Sequence, residues 1–141
     1  MRCAAVQGLS SLGSTRAVDH LGKMLQDPDW VTRLTAAKGL GEVRSRKAVP
    51  YLLQALKDPE WSVRLHAALS LGRIGVKKDA VPALHQALND PKPAVRRGAC
   101  EALGMLGDST SVELLRRLTK DQDDRVQQAA QAAIAKIQGQ E

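Results

Sequence analysis

Residues able to make or break bonds are sparse in this 141-residue sequence. The three histidines, His20, His66 and His85, stand far apart, and so do Cys3 and Cys100. Metal sites need ligands at short, recurrent spacings, and two distant cysteines supply neither a zinc site nor a disulfide framework. A nucleophilic cysteine needs a fixed histidine beside it, and neither cysteine has one close in sequence. Gly72-Arg73-Ile74-Gly75 reads as a helix ending rather than a phosphate cradle. No catalytic constellation, metal or cofactor is therefore expected. What remain are recognition residues: Trp30 and Trp61, in a chain of 2% aromatics with no phenylalanine, and a net charge of +6. Aromatic anchors dominate binding energy at interfaces, and positive charge permits an acidic partner without requiring one.

Helices must position these residues. Apolar residues make up 43% and charged residues 26%, a globular composition whose core must come from Leu, Val, Ile and Ala. No apolar run is long enough to cross a bilayer, so a membrane partner is not expected. Met1-Arg2-Cys3 opens directly into helical pattern, so no secretory leader is expected, and two cysteines suit a reducing compartment. The expected location is cytoplasmic.

The dominant signal is an internal repeat. Asp27-Pro28, Asp58-Pro59 and Asp90-Pro91 recur at intervals of 31 and 32 residues, and Asp121-Gln122 follows 31 later. Six residues after each Asp stands Arg33, Arg64, Arg96 or Gln127. Leu40-Gly41, Leu71-Gly72 and Leu103-Gly104 repeat in step, as do Ala17-Val18, Ala48-Val49-Pro50, Ala80-Val81-Pro82 and Ser111-Val112. Such periods indicate an array in which each unit buries its apolar face against its neighbours. Each unit reads as two helices, with Asp as N-cap and Pro at the first helical position. Val63, Ala67, Leu71 and Ile74 form the buried stripe of one such helix, and Gly75 and Gly107 supply stops.

The motif Ala-Val-Pro-x-Leu-x-x-Ala-Leu-x-Asp-Pro-x-x-x-Val-Arg-x-x-Ala-Ala-x-x-Leu-Gly-x-Ile-Gly, clearest from Ala48 to Gly75, resembles HEAT repeats, specifically the short HEAT-like repeats of the phycobilisome-lyase type. The resemblance implies an all-α fold, a right-handed α-solenoid of about four helix pairs. It makes the Pro-bearing helix the outer, convex one and the helix after Asp-Pro the inner, concave one. It also implies a ladder of polar contacts between repeats through Asp27, Arg33, Asp58, Arg64, Asp90, Arg96 and Asp121. Met1 and Arg2 align with Thr32 and Arg33, so the expected single domain, 1–141, holds an orphan inner helix (1–13) and helix pairs at 15–44, 46–75, 78–107 and 109–138. Either a segment of a longer array or self-association through uncapped ends is expected.

Function is expected where the core makes no demand. At about 100° per residue, Trp61, Leu65 and Leu69 fall nearly opposite the buried stripe of their helix, and Trp30 and Leu34 match them one repeat earlier. This is either an apolar anchor site on the concave face or a set of residues covering inter-repeat joints. A polar rim surrounds it: Thr35, Lys38, Glu42, His66, Arg73, Arg97, Glu101 and Met105, then Arg125, Gln128 and Lys136. An apolar centre with a charged rim is interface anatomy. The expected function is a non-catalytic protein–protein interaction scaffold holding a protein or peptide partner on the concave face. One alternative is nucleic-acid binding, as in HEAT-like DNA glycosylases, but Glu42 and Glu101 interrupt the face, and Arg116, Arg117 and Lys120 cluster on an outer helix. The other is a bilin lyase-type subunit, although no residue is assignable to chromophore transfer. HEAT-like deoxyhypusine hydroxylases bind iron through His-Glu pairs just after the recurring Arg; here those slots hold Leu34-Thr35, Leu65-His66, Arg97-Gly98 and Gln128-Ala129, so that activity is not expected.

Overall fold

The computed structural model describes residues 11–139, and among them every regular element is helical. Four outer helices, α1 (Ser11–Met24), α3 (Val49–Ala55), α5 (Lys77–Ala87) and α7 (Val112–Leu118), alternate with four inner helices, α2 (Trp30–Val43), α4 (Trp61–Ile74), α6 (Pro93–Leu106) and α8 (Asp124–Gly139). Short 3₁₀ turns, Arg46–Ala48 and Ser109–Ser111, lead into α3 and α7. The chain is an all-α solenoid. Residues 1–10 of the expected orphan helix lie outside the described residues. The break expected near residue 14 is absent, because Ser11–Met24 is one helix.

The outer leucines Leu21, Leu52, Leu84 and Leu115 and the inner leucines Leu40, Leu71 and Leu103 recur at the repeat period and are fully buried in one continuous core. Burying each contributes about 1.5–3 kcal/mol. Inner helices contact each other far more extensively than outer helices do. Glycines make that approach possible. A Cβ at Gly72 would lie 2.8 Å from the Ala102 backbone, and one at Gly104 would lie 3.2 Å from that of Ala133. Gly41 faces Ser70 in the same way, and the buried Ser70 hydroxyl donates to the Ala37 carbonyl at 2.7 Å.

Inner helices are consequently buried on more than one side, which corrects the expectation of a single buried stripe. In α4, Val63, Ala67 and Leu71 face the core, while Leu65, Ala68, Ser70 and Gly72 are buried as well. The helix starts also differ from expectation. Asp27, Asp58, Asp90 and Asp121 each stand three residues ahead of the first residue of their helix, and each carboxylate accepts the backbone N–H two residues on, at 2.8–2.9 Å. The N-cap positions belong to Asp29, Glu60 and Lys92. At Asp58, Asp90 and Asp121 the same carboxylate also accepts from an arginine of the preceding inner helix. Helix stops at Gly75 and Gly107 take φ of 81° and 70°; Arg44 holds the matching place at φ 58°.

Candidate partner-binding face

Successive inner helices are tied together by an arginine that makes four hydrogen bonds. Arg33 donates Nε and Nη2 to Asp58 at 2.8 and 3.2 Å, and Nη1 to the carbonyls of Asp27 and Pro28. Arg64 does the same with Asp90, Asp58 and Pro59. Arg96 does so with Asp121, Asp90 and Pro91. At the fourth position the Gln127 amide donates to the Asp121 carbonyl, so it takes over the bond within the turn and carries no charge. Hydrogen bonding to Arg96 holds the Asp121 carboxyl below its usual range.

On this frame the open face of the inner helices carries its apolar residues unevenly. Trp30 is 44% exposed, Trp61 36%, and Met105 41%. Leu34 and Leu69 are half-buried. Leu65 is only 8% exposed, because Gly98 on α6 leaves room for its methyl groups. The expected continuous apolar strip is therefore corrected at Leu65: it fills the joint below the surface, and the indoles stay partly open above it. Two contributors were not foreseen. Val31, beside Trp30, is 47% exposed, and the Lys92 ammonium sits 4.8 Å from the Trp61 ring centroid, within cation–π range. Val31 shares a repeat slot with Ser62, Ala94 and Arg125, so its slot was readable as open; the Lys92 contact depends on side-chain placement that spacing does not reveal.

Around the indoles, Thr35, Lys38, Glu42, Arg73 and Glu101 are exposed, and His66 and Arg97 are half-buried. Thr35 turns its hydroxyl back to the Val31 carbonyl at 2.8 Å. Burial, followed by the charges of Lys38 and Arg73, pushes the His66 imidazole below its ordinary pKa. Between α6 and α8 runs a groove of about 390 Å³ lined by Glu101, Gly104, Met105, Ala129, Ala132, Ala133 and Lys136.

The residues with chemical potential sit elsewhere and apart. Among the described residues, no three His, Cys, Asp or Glu side chains converge as a metal set. Cys100 is fully buried, and burial pushes its thiol up to about 12, so it stays protonated and unreactive at neutral pH. His85 Nε2 lies 2.9 Å from the Ser111 hydroxyl, which is buried where other repeats carry Ala48 and Ala80. Cys3 lies outside the described residues. Arg116 and Arg117 lie on the outer α7, with Lys120 just past its end, and Arg116 is paired with Glu113 at 2.8 Å. Among the described residues, no helix is long and apolar enough to cross a membrane.

The family model for HEAT repeats matches residues 1–59, 18–80 and 49–135. The chain belongs to the HEAT-repeat family. No match is found among curated proteins. Among solved structures, these HEAT repeats are similar to the complex of CpcE and CpcF of phycocyanin lyase from Nostoc sp. PCC7120, with 27% identity and a TM-score of 0.78 over 97% of this chain and 64% of that one. They are also similar to human deoxyhypusine hydroxylase in complex with glycerol, with 29% identity and a TM-score of 0.76 over 92% of this chain and 47% of that one. An engineered protein shares the fold at 24% identity and a TM-score of 0.64, over 86% of this chain and 62% of that one. The chain thus spans less than two thirds of each of these structures.

Proposed function

We propose that this HEAT-repeat chain is a non-catalytic cytoplasmic scaffold that holds a protein or peptide partner on its inner-helix face. Trp30 and Trp61 anchor the partner, Leu34 and Leu69 flank them, and Lys38, Arg73, Arg97 and Glu101 select it. Leu65 supports the face from below, with Thr35, His66 and Met105 completing the surround. One observation carries the reading: both indoles in the chain stand partly open on the same helix layer, although the core makes no demand for them there. Partly open aromatics that lose water only on docking are the residues on which interface energy concentrates. The test is a Trp30→Ala/Trp61→Ala chain compared with the wild type for captured partners. Partners lost from a variant that keeps its helicity support the reading, and an unchanged set of partners removes it.

A second reading has its own support. The likeness to the CpcE–CpcF complex runs over 97% of this chain, which favours pairing with another HEAT-repeat chain in a lyase-type assembly. Co-expression with such a chain and sizing of the product decides it, and separate elution of the two chains counts against it.

A further inference from the structure

The basic residues on α2, α4 and α6 divide into two groups. Arg33, Arg64 and Arg96 have Nε, Nη1 and Nη2 all engaged within the chain. Lys38, Arg73 and Arg97, on the open face of α2, α4 and α6, have no ion pair or hydrogen bond among the described residues. Arg97 Nε is enclosed and still unbonded. Lys38 and Arg73 both bear on His66, one from the neighbouring helix and one from its own, so these two cations share one area of the face. Lys92 adds a further positive charge over Trp61. Glu42 and Glu101 share the face, but neither comes within ion-pair distance of these cations.

Like charges gathered on one surface repel, and an incoming carboxylate relieves that repulsion while giving the free guanidinium donors their acceptors. The geometry points to an acidic peptide segment of a protein partner as the occupant of this face, its carboxylates on Lys38, Arg73 and Arg97 and its apolar side chains against Trp30 and Trp61. This inference rests on the scaffold reading above and names the partner's chemistry. A nucleic acid would ask for an unbroken basic track, whereas here Glu42, Glu101, Leu69 and the indoles interrupt the cations.

The chain's two tryptophans both lie on this face, so intrinsic fluorescence reports on it directly. The probe is a synthetic helix-forming peptide of about 16 residues, with leucines at i, i+3, i+4 and i+7 and glutamates between them. Its Glu→Gln counterpart and a single-stranded DNA of similar length are the comparisons. The expected result is a tryptophan emission change with the acidic peptide, weakening at least ~tenfold between about 50 mM and about 0.5 M salt. The Gln peptide and a Lys38→Gln/Arg73→Gln/Arg97→Gln chain of unchanged helicity should each bind at least ~tenfold more weakly. If the triple variant does not fold, Arg73→Gln alone, a change at an exposed residue, serves instead and should weaken binding measurably. Equal binding of the Glu and Gln peptides overturns the acidic preference and leaves the scaffold reading standing, since that reading fails only on the Trp30→Ala/Trp61→Ala comparison. Response to neither peptide, or tighter binding of the DNA, overturns the inference.

Discussion

Leu65 and Trp61 lie one helical turn apart and have opposite fates, which separates what folds this chain from what is free to bind. Leu65 packs against Gly98 at 8% exposure, while Trp61 keeps 36%. Leu65→Ala should therefore cost about 2–4 kcal/mol of stability in chemical denaturation, as cavity-forming core truncations do. Helical rotation alone put both residues on one strip. It failed at Leu65 because burial there depends on the neighbouring repeat lacking a side chain at Gly98, a relation between helices that one helical wheel does not contain. Arg44 offers a second residue-scale prediction. It sits at φ 58° where the next two inner helices end in Gly75 and Gly107. Arg44→Gly should raise stability by about 0.5–1 kcal/mol, because it removes a left-handed conformation that disfavours a side chain. Thermal melting of the two chains reads this.

Between elements, the repeating Leu-Gly and Asp-Arg positions do their work across joints. The Leu-Gly glycine looks from sequence like a helix weakener, yet at Gly72 it admits the Ala102 backbone. Gly72→Ala should destabilise by about 1–2 kcal/mol despite its better helix propensity, because the added methyl overpacks the joint; urea midpoints check this. The recurrence of Asp and Arg was legible in the sequence, and the resemblance to HEAT repeats implied that they meet between repeats. The dual use of Asp58, Asp90 and Asp121 was not legible, because each carboxylate serves an arginine of the previous repeat and the backbone of its own turn together. For Asp121 this has a pH consequence. A carboxyl held below its ordinary pKa in the folded chain contributes stability that is present above about pH 4 and lost as pH falls through the folded value. The stability difference between the wild type and Arg96→Gln should be full at neutral pH and shrink in acid. A difference that stays constant down to about pH 2 would contradict the ladder's role.

At the scale of the whole molecule, stability is local. Each helix touches only near neighbours, as in other solenoids, so opening is graded along the stack. Amide hydrogen exchange should be slowest in α4 and α6, which have inner helices on both sides, and faster in α8 and the outer helices. Uniform protection throughout would show a single cooperative unit instead. The fold class was readable because one period governs the whole chain. The exposed indole face was only partly readable, because exposure is decided by the neighbours of each inner helix rather than by its own pattern.

The glycine-to-alanine joints carry one more consequence. Glycine and small side chains let the inner layer close up, while on the outer layer the Tyr51 ring lies over Gly22 and the helices touch less. Each repeat is thus packed more tightly on its inner-helix side than on its outer side. The inner-layer spacing is written in missing methyl groups, so adding one carbon at Gly72 and at Gly104 should push successive inner helices apart and change how far one repeat turns relative to the next.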